Sequence, residues 1–481
     1  MGRAKYTNFG VGFPVFSVGA RGLHVRKEDG SRRDALVLVG GGGAAKSGIK
    51  NAVAVFSVEH NERGEPCVVQ DVVFDCGERL CVSAECSADE RLVAASLSDG
   101  CLLLGYDEEQ RSLTELCFFA TDFLESEVNP ACQNVARFSP TDTRLLATGG
   151  DDATVCIWRL EETVEASVSG SPRSEEKGVE VVKGLPPAAA AAAAATEVKE
   201  QEEEEALQEE LDENSTSESP KPSDMEVESD AAGEDGDAAT TPGTPPQSPE
   251  AAAPAWKAIL VHKLKGHSGE IRDLDFDPTG KLLVSASGDN TCRLWDVSTG
   301  KLVQLLPADT AAGMSYRRVR FAEQDRLLTL QSQMVRKGSS FIVEFVTKNG
   351  NESKTPWSLG KSTKLADKPM TTIQCHPPFV SIGDASGGLN LLDYTSLSKL
   401  GYFDEVHSLP ITGLSTIPNP DDPEHTYIVT ASMDKTVTMT PALRPAFSSW
   451  VRLIVPVLLI MLVVAVRVLL FSEDDEDPKE L

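Results

Sequence analysis

The sequence predicts an all-β protein built from a repeated unit of short strands, and three features support this fold class. The first is residues 145–158, where an apolar strand leads into a Gly/Asp turn and a second strand ends in tryptophan. The second is the recurrence of this unit at 282–296, and the third is a set of weaker copies at 92–106, 380–394 and 427–439. Repeats of this kind are typical of a β-propeller with four strands in each blade.

The unit at 257–297 carries a WD-type pattern, because Gly266-His267 precedes its strands and Trp295-Asp296 closes it. In such repeats the histidine and an aspartate hold hydrogen bonds within the blade, so we expect structural roles for His267 and Asp289. Strand clusters predict a seven-bladed WD-repeat-type β-propeller, with blades near 14–58, 67–106, 113–160, 257–297, 301–347, 353–395 and 398–440.

Residues 161–255 interrupt the repeats and differ from them in composition. Counting over 161–250 gives about 25 Asp and Glu against about 5 Lys and Arg, so most of the net charge of −29 lies there. Such a segment cannot bury enough apolar surface to offset the cost of ordering, and it is predicted to be a disordered acidic insertion. It is either a solvated spacer or a carrier of proline-directed phosphorylation sites. The remaining charge provides no basic surface for nucleic acid.

Residues 450–471 are predicted to form a single transmembrane helix. The run Leu453–Phe471 is apolar except for Arg467, and about 19 residues at about 1.5 Å each cross the bilayer core. Arg444 and Arg452 precede this run and an acidic stretch follows it, so the positive-inside rule places the N-terminal side in the cytosol. Ten scattered cysteines and the absence of an N-terminal signal peptide agree with that side.

The predicted domain organisation follows from these segments. Blades 1–3 occupy residues 1–160, the insertion 161–255, blades 4–7 residues 256–445, the transmembrane helix 450–471, and a short lumenal tail 472–481.

Residues 40–51 form a glycine-rich loop between two strand-like runs, 35–39 and 52–56. A phosphate-binding loop needs the pattern G-x-x-x-x-G-K-[ST] and opens a helix. Here Gly40 is followed by Ala45-Lys46-Ser47, so the second glycine is missing, and the next segment is strand-like. The alternatives are a hairpin without a special role and a loop that acts on a partner.

The combination of propeller, loop and C-terminal span resembles the prolactin regulatory element-binding protein family. These are the endoplasmic-reticulum guanine nucleotide exchange factors for the small GTPase that starts the coat protein complex II vesicle coat. The resemblance rests on Gly40–Asn51, on Phe13-Pro14, and on Val406-His407-Ser408 with Ile411-Thr412. It implies exchange activity without covalent chemistry, a coat-initiating GTPase as partner, and an endoplasmic-reticulum membrane location.

The resemblance also implies roles for individual residues. Gly43, Gly48, Ile49 and Asn51 would belong to the exchange loop, and His407 would be a functional histidine. Asn51 and Gly48 would supply oxygen ligands to a potassium ion, because hard monovalent cations prefer oxygen. A blade-structural role for His407 stays open. The alternative function is a membrane-anchored scaffold without exchange activity, because propellers host many functions. A transcription regulator is disfavoured by the acidic composition.

Overall fold

The structure is a computed structural model, and it describes residues 7–19, 24–26, 32–42, 48–60, 66–89, 91–121, 132–163, 256–306, 313–335, 338–347, 356–418, 426–442 and 461. Contacts divide the chain into one unit of 1–164 with 253–481 and another of 165–252. All described residues belong to the first unit, and they form 29 strands in seven antiparallel sheets. The prediction of an all-β, seven-bladed WD-type propeller is confirmed.

The strands follow the chain from one blade to the next. The chain begins with β1 (Thr7–Gly10), which belongs to the last blade. Blade 1 contains β2 (Val15–Gly19), β3 (His24–Arg26), β4 (Arg32–Gly40), β5 (Ala52–His60) and β6 (Pro66–Asp75). Blade 2 contains β7 (Cys81–Cys86), β8 (Leu92–Leu97), β9 (Gly100–Asp107) and β10 (Ser112–Phe119). Blade 3 contains β11 (Gln133–Phe138), β12 (Leu145–Gly150), β13 (Val155–Glu162) and β14 (Trp256–Leu264).

The other four blades have the same order. Blade 4 contains β15 (Ile271–Phe276), β16 (Leu282–Ser287), β17 (Cys292–Asp296) and β18 (Leu302–Leu306). Blade 5 contains β19 (Met314–Glu323), β20 (Arg326–Gln333), β21 (Ser340–Val346) and β22 (Ser358–Ala366). Blade 6 contains β23 (Met370–His376), β24 (Phe379–Asp384), β25 (Leu389–Asp393) and β26 (Lys399–Phe403). Blade 7 contains β27 (Ile411–Pro418), β28 (Thr426–Ser432) and β29 (Thr436–Ala442), and β1 completes it.

The hydrophobic core lies between blades rather than inside any one of them. Seven apolar clusters each join two neighbouring sheets, including the pair formed by blades 7 and 1. The second strand of a blade is therefore covered on both faces, and β8, β12, β16 and β24 are buried at every position. This explains why these strands are continuous runs of apolar or small residues, apart from Asp384 at the end of β24, instead of alternating ones.

The ring is closed by the N-terminal strand. β1 pairs antiparallel with β29, with Thr7 opposite Met439 and Gly10 opposite Thr436. The strand therefore supplies the outer edge of blade 7 from the opposite end of the chain, which reduces the exposed edge of that blade.

The sequence repeat and the blade are offset by one strand. The repeat at 257–297 contains β14, the outermost strand of blade 3, and the three inner strands of blade 4. The sequence predicts an insertion between blades 3 and 4, whereas in the structure β13 pairs with β14 across it. The insertion therefore connects the third and fourth strands of one blade.

Several predicted segments lie outside the described residues. These are the acidic insertion after Thr163 up to residue 255, the predicted span 450–471 apart from Met461, and the tail 472–481. Among the described residues, no helix is both long enough and apolar enough to cross a membrane. The transmembrane part of the predicted fold class is therefore not supported.

Candidate binding face at the glycine-rich loop

The glycine-rich loop connects β4 to β5, the second and third strands of blade 1 counted from the centre. It extends over residues 41–51, whereas the same connections in blades 3, 4 and 7 extend over 151–154, 288–291 and 433–435. Residues 43–47, and with them Gly43, lie outside the described residues. The described parts of the loop are thus its two attachment points.

The first attachment point requires glycine because the backbone is crowded. A Cβ on Gly40 would lie 1.9 Å from the carbonyl oxygen of Pro14, and one on Gly41 would lie 2.4 Å from Asn51 Oδ1. Gly41 also has φ +150° and donates its amide to Pro14 O at 3.1 Å. The start of the loop is therefore tied to the segment that enters β2.

The second attachment point is Asn51, which is 1% exposed. Its Nδ2 donates to Gly77 O at 3.0 Å, and its backbone carbonyl accepts from the Cys76 amide at 2.9 Å. Cys76 and Gly77 lie on the connection from blade 1 to blade 2. Asn51 thus joins the end of the loop to the neighbouring blade, a role that the sequence analysis did not anticipate.

Lys50 and Asp75 add an exposed ion pair beside this anchor. Lys50 Nζ lies 2.6 Å from Asp75 Oδ2, and Asp75 Oδ1 accepts from the Gly77 amide at 2.9 Å. The hydrogen bond from Lys50 lowers the pKa of Asp75, and the same bond raises the pKa of Lys50. Because both groups are exposed, this pair contributes little to stability.

Gly48 and Ile49, on the second side of the loop, differ in burial. Gly48 is exposed and has φ +72°, a conformation that glycine adopts at low cost. Ile49 is partly buried and packs on the cluster that contains Val11 and Phe13. The loop is therefore held on one side by apolar packing and on the other by the Asn51 hydrogen bonds.

His407 lies on the connection from blade 6 to blade 7 and is buried. Its Nε2 lies 2.8 Å from Thr430 Oγ1, and its Nδ1 lies 2.9 Å from Thr436 Oγ1 and 3.3 Å from Asp434 Oδ2. Burial lowers the pKa of His407, and Asp434 opposes that effect without reversing it. The neutral imidazole therefore joins the start of blade 7 to its β28–β29 turn.

Blade 4 has the same network with one more member. Trp295 Nε1 donates to Ser285 Oγ at 2.8 Å, and Ser285 Oγ lies 2.7 Å from His267 Nε2. His267 Nδ1 lies 2.9 Å from Asp289 Oδ2, and the carboxylate also accepts from the Ser268 amide at 3.0 Å. His407 occupies in blade 7 the place that His267 occupies in blade 4. Its observed contacts are those of a blade-structural histidine.

These contacts place two sets of loops at the same end of the propeller. One set connects successive blades and the other connects the second and third strands within a blade. We call this end the loop face and define it by residues 11–14, 41–42, 48–51, 76–80, 404–410 and 433–435. On it, Leu409 is 45% exposed and Met433 is 41% exposed, and Ser432 Oγ donates to Leu409 O at 3.2 Å. The loop face therefore presents apolar side chains next to the polar networks.

Potassium binding by Asn51 and Gly48 stays a prediction. The buried Asn51 amide is held against Gly41 and Gly77, whereas Gly48 is exposed. In the described part of the chain, no group of three or more His, Cys, Asp or Glu is placed to hold a metal ion.

Comparison with known proteins supports the repeat. The family described as WD domain, G-beta repeat matches residues 130–159 and 258–296. Eukaryotic translation initiation factor 3 subunit I from Neurospora crassa is 28% identical over 193 residues, which is 37% of this chain and 49% of that protein. The same subunit from Sclerotinia sclerotiorum is 29% identical over 206 residues, or 39% of this chain and 55% of that protein.

A shorter similarity is found to a ribosome biogenesis protein, the BOP1 homolog of Monosiga brevicollis, at 40% identity over 50 residues. That match covers 10% of this chain and 6% of that protein. The chain spans about half the length of the initiation factor subunits it matches.

These findings contradict the predictions drawn from the family resemblance. The matched relatives bear the name of a translation initiation factor subunit and not of an endoplasmic-reticulum exchange factor. The predicted family, the exchange activity, the coat-initiating GTPase as partner and the endoplasmic-reticulum membrane location are therefore not supported. The physical reason is that the resemblance depended on the glycine-rich loop and a few short stretches outside it, whereas the propeller that carries them serves many functions.

Proposed function

We propose that this chain is a WD-repeat scaffold without enzymatic activity, which docks a protein partner on its loop face within an assembly of the translation-initiation kind. The similarity to translation initiation factor 3 subunit I supports the class of assembly, since that name describes one subunit of a larger factor. The observation that carries the docking site is the exposure of Leu409 and Met433 beside the buried hydrogen bonds of His407.

Rigidity makes this face suitable for docking. Asp434 fixes the turn that carries Met433, because it accepts from the Thr436 amide at 3.0 Å and from the Ser408 amide at 3.0 Å. A surface that is already ordered loses little conformational entropy when a partner binds. Large apolar side chains held in this way are the usual anchors of a protein interface.

Blade 7 and the glycine-rich loop belong to one continuous surface. The Val11 amide donates to Lys435 O at 2.9 Å, and Thr412 Oγ1 donates to Val15 O at 2.6 Å. Ile49 packs on the cluster that contains Val11. A partner seated on Leu409 and Met433 therefore lies close to the anchored ends of the loop.

The experiment compares two leucine substitutions in the tagged full-length chain. Leu409→Asp places a carboxylate on the loop face, and Leu302→Asp places the same group on the outer strand of blade 4. The two leucines are matched in exposure, at 45% and 46%. We expect Leu409→Asp to reduce the recovery of translation initiation factor 3 subunits about tenfold, which is the effect of losing one interface anchor.

The matched control should retain the wild-type recovery. Equal recovery by both variants would place the partner elsewhere and refute docking on the loop face. Recovery of no initiation factor by the wild type would refute the class of assembly. Equal thermal unfolding of the two variants separates a lost contact from a lost fold.

A further inference from the structure

The centre of the propeller contains a cavity of about 250 Å³ lined by the first strands of all seven blades. Charged side chains from blades 2 to 5 meet in it and at its margin. Five are arginines and four are carboxylates: Arg137, Arg272, Arg317, Arg318, Arg320, Glu85, Glu270, Asp273 and Asp275.

Most of these charges are neutralised by a partner. Asp273, which is buried, lies 2.6 Å from Arg320 Nη1 and 3.2 Å from Arg137 Nη2. Arg137 also reaches Glu85 Oε2 at 2.9 Å. Buried ion pairs of this kind cost much to break, because the remaining charge is left without compensation.

Three of the other charged groups also have partners. Arg272 Nη2 lies 2.8 Å from Glu270 Oε1 at the margin of the cavity. Asp275 Oδ2 accepts from the Phe321 amide at 2.7 Å. Among the arginines that line the cavity, one guanidinium thus remains without a carboxylate partner in the described residues.

Arg318 lines the cavity and differs from the other lining arginines. Its Nη1 donates to Arg317 O at 2.9 Å and to Arg272 O at 3.4 Å, and no carboxylate of the described residues lies within ion-pair distance of it. Burial lowers the pKa of Arg318, with Asp273 opposing and the neighbouring arginines adding to the effect. An anion beside this guanidinium would offset its desolvation.

We propose that the central cavity is a binding site for one small tetrahedral oxyanion, a phosphate group, and that Arg318 is the main side chain that binds it. Guanidinium groups bind phosphate oxygens through paired N–H donors, and such charge-assisted hydrogen bonds are roughly twice as strong as neutral ones. The cavity is smaller than a typical drug-sized pocket, which favours a single phosphate group over a larger ligand. This site is separate from the loop face and does not depend on the proposed docking.

The test is a calorimetric titration of the full-length chain with inorganic phosphate in 150 mM NaCl. Phosphoserine in a second titration distinguishes free phosphate from a phosphate group carried by a peptide, and acetate tests whether a planar carboxylate suffices. We expect saturable binding of phosphate, and Arg318→Gln should weaken it about tenfold or more, since one charge-assisted ligand is lost. At this salt concentration interactions between exposed charges are largely screened, so the binding that remains reports on contacts inside the cavity.

Arg317→Gln is the matched control. It removes the same charge from the neighbouring residue, which does not line the cavity. We expect it to change phosphate affinity about threefold at most, through the general field alone. Equal losses of phosphate affinity in the two variants would show that binding depends on the general positive charge and not on Arg318. Absence of binding by the wild type at about 10 mM phosphate would refute the site. Thermal unfolding without phosphate verifies that both variants are folded.

Discussion

The His267 network provides the most direct test of how a blade is held together. We predict that His267→Ala lowers the free energy of unfolding by about 3–5 kcal/mol. The substitution removes the bonds to Asp289 Oδ2 at 2.9 Å and Ser285 Oγ at 2.7 Å, which contribute about 1–1.5 kcal/mol each. The remainder comes from the space left by a side chain that is completely buried.

Several hydrogen bonds of the network survive the substitution. Asp289 retains the Ser268 amide at 3.0 Å and the Thr291 amide at 2.8 Å, so its carboxylate does not become an unpaired buried charge. Ser285 retains the Trp295 donor at 2.8 Å. The predicted loss therefore stays below the cost of an isolated buried ion.

Urea unfolding followed by tryptophan fluorescence measures the effect, because Trp158, Trp295 and Trp357 are all buried. His262→Ala is the matched control, since His262 makes a single exposed hydrogen bond to Ser298 O at 3.1 Å. The control should lose less than about 1 kcal/mol. If the two variants unfold at the same urea concentration, the network contributes no net stability and its structural role in blades 4 and 7 is wrong.

Three further predictions follow from other contacts. Because burial lowers the pKa of His267 and His407, the folded state binds fewer protons than the unfolded state below about pH 6.5. The free energy of unfolding should therefore be constant above about pH 6.5 and decline below it by up to about 1.4 kcal/mol per pH unit for each histidine. Urea midpoints from about pH 8 to 5 measure this decline, and a flat profile would contradict it. Gly40→Ala should destabilise the chain by about 2–3 kcal/mol, because the added Cβ would clash with Pro14 O. Gly10→Ala should be neutral, since a Cβ at Gly10 has no neighbour within 4 Å. Equal thermal midpoints of the two variants would show that the Gly40 site is not crowded. Lys50→Ala should leave the urea midpoint of unfolding unchanged, because the ion pair of Lys50 with Asp75 is exposed, and a clearly lower midpoint would mean that the pair anchors the loop.

The repeated unit was predictable because its chemistry is local. His267, Asp289 and Trp295 lie within one repeat, and the strand between them has the apolar pattern of a buried strand. Seven clusters of short strands, five of them containing a recognisable copy of the unit, were enough to predict seven blades. The offset between repeat and blade was not predictable from the pattern, since the pairing of β14 with β13 is made across the insertion.

The contacts that connect different blades could not be derived from the sequence alone. Asp273 forms ion pairs with Arg137 and Arg320. The three residues lie on three successive blades, and no rule of sequence spacing predicts their contact. Asn51 was singled out for its place in a loop, yet its observed bonds are to Cys76 and Gly77 of the next connection. Sequence patterns identify which residues matter more readily than they identify what those residues contact.

The functional expectation was wrong for a related reason. A loop such as 40–51 is carried by a fold that many unrelated proteins share, so the loop's likeness to one family carried too much of the argument. The comparisons match two segments of the propeller to a WD repeat, and 37% of the chain to an initiation factor subunit. The geometry then indicates which face of the propeller is suited to docking.

Co-migration of the full-length chain with purified translation initiation factor 3 in a density gradient would show whether this chain belongs to such an assembly. We predict that the wild-type chain moves with the factor, and that Leu409→Asp, but not Leu302→Asp, returns the chain to the position of the free chain. If wild-type chain stays at the position of the free chain while the factor sediments intact, the scaffold assignment to this assembly is contradicted.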